Sequence, residues 1–249
     1  MSRGTCLGFQ MLHILANNGR PDTIVPAESY NQSLSLQWTY DINDDSKTAK
    51  LFSLLPRDER LRVQEYFQNV NSTDNWHHFG VYPEEYEQYP SLKSFFRILA
   101  TSTNYNDRKN KPFVALVEAH KYPIYGAQFH PERLPYEWYE SSDLPKTFEN
   151  IRAQQYFVSF FVDQARRLNS HAFQSDAELN MFNIHNYPVT FAARYVPEED
   201  QGYYFFYDHD FPPFTSGKEA HKPKVGHRLM AISQAIAKLN VTAEILQMQ

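Results

Sequence analysis

The chain has one cysteine, and it stands between glycines in Gly4-Thr5-Cys6-Leu7-Gly8. That Gly-x-nucleophile-x-Gly spacing is the pattern of a nucleophile elbow, a tight strand-to-helix turn that lifts a reactive side chain clear of the backbone. Small residues two positions either side let such a turn tighten. The thiol then sits at the start of the following helix, where free N–H groups and the helix dipole favour thiolate. The Leu7 N–H can bear part of an oxyanion there. Far downstream, Gln128-Phe129-His130-Pro131-Glu132 leaves a β-rich run. His130 is a natural base and acid for a thiol, and Glu132 can hold its imidazole in the working tautomer. Each feature alone has a plainer reading: a buried cysteine in a turn, a satisfied histidine at a strand end, an exposed loop carboxylate. Their joint occurrence points to covalent catalysis through a thioester.

The surrounding elements must present these groups. Phe9, Met11, Leu12, Ile14, Leu15 and Ala16 form a broad apolar helical face, stopped by Asn17-Asn18-Gly19. The helix therefore starts where an elbow requires one. From Asp22 to Lys50 the chain is polar, with a short strand expected at Leu34-Ser35-Leu36-Gln37-Trp38. Arg57 to Phe67 reads as helix and Pro83 to Tyr89 as an acidic turn. Strands are expected at Phe95 to Ser102, Phe113 to Val117 and Ile124 to Phe129. A helix follows from about Thr147 to Leu168, then a β-rich stretch from Tyr203 to Tyr207. Strands mixed with helices indicate an α/β domain, though not the order of its sheet.

Composition narrows the function classes. The chain has 249 residues with 42% hydrophobic and 21% charged, so a sizeable core is expected. Aromatic side chains, at 16%, supply much of its apolar area. A formal charge of −5 leaves no basic footprint for nucleic acid. An acidic substrate would then need a local basic pocket. No run approaches the ~18 apolar residues of a membrane span, and Met1-Ser2-Arg3 leads directly into the elbow, so no signal peptide is expected in this chain. The same three residues are too short and too polar for the buried strand an elbow calls for. The expectation is a chain lacking its N-terminal part, poorly folded and inactive as it stands.

The elbow with a downstream Gln-Phe-His-Pro-Glu resembles the class I glutamine amidotransferase superfamily, whose members use a Cys-His-Glu triad. Within it, Gly4 to Phe9 is similar to the elbow of the γ-glutamyl hydrolases. The run from Lys121 to Glu132, continuing to Pro135-Tyr136-Glu137-Trp138, looks strongly like that family too. The resemblance covers about Gly4 to Asp208. It implies a flavodoxin-like three-layer α/β sandwich, incomplete at the N-terminus, occupying residues 1–210. Residues 211–249 would be a tail of unknown role, helical from about His227 to Leu246. The implied catalytic residues are Cys6, His130 and Glu132, with Leu7 as oxyanion donor. Asn75 to Phe79 looks like the family segment that sets a further histidine in the substrate cleft, which selects His77, against the alternative of a surface histidine in a polar loop.

The implied activity is hydrolysis of folyl and antifolyl poly-γ-glutamates, with no metal or organic cofactor and with a homodimer as a candidate assembly. The family's secretory route implies lysosome or vacuole and extracellular space for the full-length protein. It lends weight to the glycosylation triplets at Asn31 and Asn71, and less to Asn240. Gln10 departs toward glutaminases and keeps a second reading open, a glutaminase domain feeding ammonia to a synthetase. A catalytically inactive fragment is the third.

Overall fold

The computed structural model describes residues 2–105, 110–136, 143–168, 172–187, 189–191 and 202–204. The chain divides into two compact units, Met1–Ser170 and His171–Gln249. No described helix is long and apolar enough to cross a membrane.

The first unit opens with β1 (Ser2–Thr5) and α1 (Leu7–Ala16). Next come β2 (Val25–Leu34), β3 (Gln37–Trp38), α2 (Arg57–Asn69) and β4 (Thr73–Gly80). The short helices α3 (Pro83–Gln88) and α4 (Pro90–Phe95) lead into β5 (Phe96–Ser102), β6 (Phe113–Ala119) and β7 (Ile124–Ala127), and α5 (Phe148–Leu168) closes the unit. The main sheet runs β1-β7-β6-β5-β3. Only β1 and β7 pair in parallel, from Ser2↔Ile124 to Thr5↔Ala127; the other neighbours are antiparallel.

Every residue of β6 is buried, as suits a strand covered on both faces. Its side chains divide between two cores. Phe113, Ala115 and Leu116 join Phe157 and Phe160 of α5, while Val114, Val117 and Ala119 join Phe9 of α1 and Leu92 of α4. Helix, sheet and helix therefore form three layers, an α/β arrangement that agrees with the expected fold class. Gly126 of β7 lets α1 come close, since a Cβ there would lie 2.9 Å from the Phe9 ring.

Three expectations need correction. Ser2–Thr5 does form a strand: among the described residues β1 pairs with β7 alone, and its polar Ser2 is exposed. Pro83–Gln88 is a helix rather than a turn: proline at its start and Glu84 and Glu85 in its first turn both suit a helix N-terminus. The expected strand at Leu34–Trp38 is divided between sheets. Leu34 ends β2, which pairs with β4 in a separate two-stranded sheet, while Gln37–Trp38 pairs with β5.

In the second unit, Ser175 caps α6 (Asp176–Met181), its side chain accepting from the Glu178 N–H. There β8 (Val189–Phe191) and β9 (Gly202–Tyr204) pair antiparallel. The 211–249 tail, with Asn240, lies outside the described residues, as do Glu137 and Trp138.

Candidate active site

Cys6 stands between β1 and α1 with φ 50° and ψ −108°, a left-handed conformation that costs a non-glycine residue of order 1–3 kcal/mol and is typical of functional sites. Its backbone N–H donates to the Ala127 carbonyl at 2.9 Å, carrying the β1–β7 register up to the turn. The two flanking glycines are not equivalent. A Cβ at Gly4 would lie 2.5 Å from the Gly8 carbonyl oxygen, whereas a Cβ at Gly8 would meet nothing within 4 Å. Only Gly4 is required by the close approach of strand and helix, which corrects the symmetric expectation. The Cys6 thiol is buried and points toward the Trp76 carbonyl, with Sγ 3.9 Å from its oxygen. Leu7 begins α1 beside it, where a helix leaves its first N–H groups without internal acceptors.

Beyond β7, the Gln128 N–H donates to the Ala115 carbonyl at 2.9 Å and the His130 N–H to the Asp74 carbonyl at 2.8 Å. The second bond ties the turn that carries His130 to β4. His130 Nδ1 donates to Glu132 Oε1 at 2.8 Å. Burial opposes a charge on the His130 ring, but hydrogen bonds to Cys6 and Glu132, with the charges of both, outweigh it and raise its pKa to about 10. For Glu132, burial works against the charge, yet the His130 bond and charge hold its carboxyl below the usual range. The structure thus joins His130 to Glu132 by a hydrogen bond and sets Cys6 near enough for its thiol to act on the His130 ring.

His77 takes a different place. It is buried, with Nδ1 donating to the Ala27 carbonyl at 3.0 Å and its ring edge-on to Phe113 at 4.9 Å, and the charge of His130 acts on it. Burial pushes its pKa down to about 3. Gln10 is buried as well, and Nε2 donates to the Phe79 carbonyl at 2.7 Å, fastening α1 to β4. Asn71 is exposed, and Asn31 is half-buried at a positive φ of 51°. No group of three His, Cys, Asp or Glu among the described residues could hold a metal ion.

Several neighbours escaped the sequence reading. Asp74 accepts from Trp76 Nε1 at 2.7 Å and faces Arg133 at 3.7 Å, and the Arg133 guanidinium lies 4.8 Å from the Trp76 ring centre. Arg3 reaches Glu132 Oε2 at 3.5 Å. A lone Asp or Arg carries no spacing signal. The one hint was that Arg133 follows Glu132 directly.

The buried histidines make the fold sensitive to acid. His13 on α1 sits between the Phe9 carbonyl and the Tyr86 hydroxyl, each at 2.8 Å, and burial lowers its pKa to about 4. His13 and His77 are neutral in the folded chain but gain protons near pH 6.5 once unfolded. The unfolded state therefore binds more protons below that pH, and stability falls as pH falls. By pH 5 the loss is about 2 kcal/mol for each ring. Between pH 8 and pH 5 the raised pKa of His130 acts with the opposite sign, so the test is a comparison: the stability lost over that range, from urea midpoints, should be about 2 kcal/mol smaller in His13→Gln than in wild type.

The family model described as "Glutamine amidotransferase class-I" matches residues 3–140. Gamma-glutamyl hydrolase B of Dictyostelium discoideum is 31% identical over 191 residues, covering 77% of this chain and 51% of that protein. Gamma-glutamyl hydrolase of Bos taurus is 29% identical over 202 residues, or 81% of this chain and 58% of that protein. Gamma-glutamyl hydrolase 1 of Arabidopsis thaliana is 30% identical over 206 residues, or 81% and 54%. The chain spans just over half the length of these curated relatives.

Proposed function

Because the chain belongs to the class I glutamine amidotransferase family, we propose that it is a cysteine hydrolase of γ-glutamyl bonds. The observation that carries this reading is the row from Cys6 through His130 to Glu132, with a 2.8 Å bond orienting the ring. The names of its relatives direct the choice of bond.

In the first half-reaction Cys6 Sγ, as thiolate, adds to the γ-carbonyl carbon. The Leu7 N–H bears part of the oxyanion. His130 protonates the leaving amine as the C–N bond breaks, which leaves a thioester. Acylation removes the thiolate, and with it the bond and the charge that raise the His130 pKa. The ring can then act as base. It takes a proton from water as the oxygen adds to the thioester, and the thiolate departs. Glu132 orients the ring throughout.

The substrates in this reading are folyl and antifolyl poly-γ-glutamates. The whole protein would act in lysosome or vacuole and outside the cell, with Asn71 and Asn31 as glycosylation sites and a homodimer as its assembly. Residues 1–210 would form the catalytic domain and 211–249 a helical tail. The buried bond from Gln10 to β4 serves packing and gives no support to the glutaminase alternative. To test the reading, the full-length protein is incubated with pteroyl-pentaglutamate and, separately, with glutamine. Mass spectrometry should find shortened folates from the first and little ammonia from the second. The reverse ranking would favour a glutaminase.

A further inference from the structure

The two oxygens of Glu132 have different surroundings. Oε1 accepts from His130. Oε2 is buried and makes no hydrogen bond among the described residues, and the cation facing it is Arg3, with Nη2 at 3.5 Å. Arg3 belongs to β1, the strand that ends at the nucleophile. Side chains alternate along a strand, so Gly4 turns to α1 while Arg3 turns to the opposite face. There Arg3 lines an apolar cavity with Phe157, Phe160 and Phe161, and its guanidinium sits 6.0 Å from the Phe161 ring centre. Burial in this cavity pushes the guanidinium pKa down, and the Glu132 charge pulls it back up.

A carboxylate held by one hydrogen bond still turns about its last torsion, whose energy wells are broad. A charge on its second oxygen restricts that turn. The other charges near Glu132 are His130 in the same turn, with Cys6 beyond it, and Asp74 from β4, which carries like charge. Arg133 is paired with Asp74. We propose that Arg3 is a positioning residue that holds Glu132 from its far side and so fixes the His130 ring against Cys6. The nucleophile strand would then brace the carboxylate as well as carry the thiol. This inference rests on the hydrolase reading of the site.

The test compares Arg3→Met, Arg3→Lys, Glu132→Gln and the Arg3→Met/Glu132→Gln double variant in the full chain. Arg3→Met should lower kcat about tenfold with KM nearly unchanged, and Arg3→Lys should restore most of it. Losing a cation raises a carboxylate pKa, so the acid limb of the rate profile should move to higher pH. In the Glu132→Gln background Arg3→Met should have no further effect, because coupled residues are not additive. Equal losses in both backgrounds, or an unmoved acid limb with a lowered melting temperature, would reduce Arg3 to packing against Phe161. A full-length wild-type protein whose Cys6 resists iodoacetamide and which cleaves no γ-glutamyl bond would sink the hydrolase reading instead. Carboxyl NMR titration of Glu132 would still decide Arg3 in that case: an unchanged midpoint in Arg3→Met overturns the proposal.

Discussion

Cys6→Ala should lower γ-glutamyl hydrolysis by a factor on the order of 10⁴–10⁶, the range seen when a covalent nucleophile is removed. No other thiol exists in the chain to replace it. His130→Ala should be nearly as severe, since both thiol activation and leaving-group protonation pass through that ring. The Cys6→Ala/His130→Ala double variant should be no slower than the worse single one, because residues that act as a unit are grossly non-additive. A second readout isolates the mechanism. In the resting protein the bond and charge of Cys6 help raise the His130 pKa to about 10. In Cys6→Ala the ring should therefore titrate at clearly lower pH by NMR. A ring that titrates unchanged, or an alanine variant that retains turnover, would remove Cys6 from the chemistry.

Gly4→Ala and Gly8→Ala should have opposite consequences although both replace an elbow glycine. At Gly4 the new methyl would lie 2.5 Å from a backbone carbonyl oxygen in the first turn of α1 and 2.6 Å from Leu12 Cδ1. Leu12 can change rotamer, but the carbonyl moves only with the helix. Separating β1 from α1 displaces Cys6 from His130, and a shift of about 1 Å at a reacting atom can cost 10²-fold. Overpacking adds about 1–3 kcal/mol of destabilisation. At Gly8, which is half-buried, the methyl enters open space, and alanine favours a helix position over glycine by up to about 1 kcal/mol. Thermal melts and the rate of Cys6 alkylation should separate the two variants, with Gly4→Ala lower in both and Gly8→Ala melting at or above wild type.

The candidate site was legible where its chemistry is local in sequence. The elbow lies within five residues, and His130 and Glu132 are two apart, so spacing alone carried the signal. β6 and α5 were visible because their burial shows as apolar runs and helical periodicity. The β2–β4 pair was not. Its buried positions include Ser29, Thr73, Asp74, Asn75 and His77, whose polar side chains hide the alternation of a half-buried strand. Burial is met there by bonds within the pair, such as Thr73 Oγ1 to the Leu34 carbonyl at 2.8 Å and Asn75 Nδ2 to the Thr73 carbonyl at 3.0 Å. His77 resembled a cleft residue by its neighbours in sequence, and its burial edge-on to Phe113 could not be read from them. Arg3 gave no pattern at all, since its partner Glu132 lies in the turn beyond β7, far along the sequence.

The parallel seam between β1 and β7 also bears on the order in which the chain assembles. β5, β6 and β7 follow one another closely and pair as neighbours, while Ser2 must find Ile124 from the far end of the sequence. Closing long loops delays contacts that are distant along the chain. The meander thus has every advantage in forming early, and the nucleophile strand docks onto a sheet already in place. Until it does, Cys6 has no Ala127 carbonyl to anchor its turn and no His130 beside it. A partly folded chain would carry an ordinary thiol, and reactivity would arise only with the last strand, so that the chemistry marks completion of the fold.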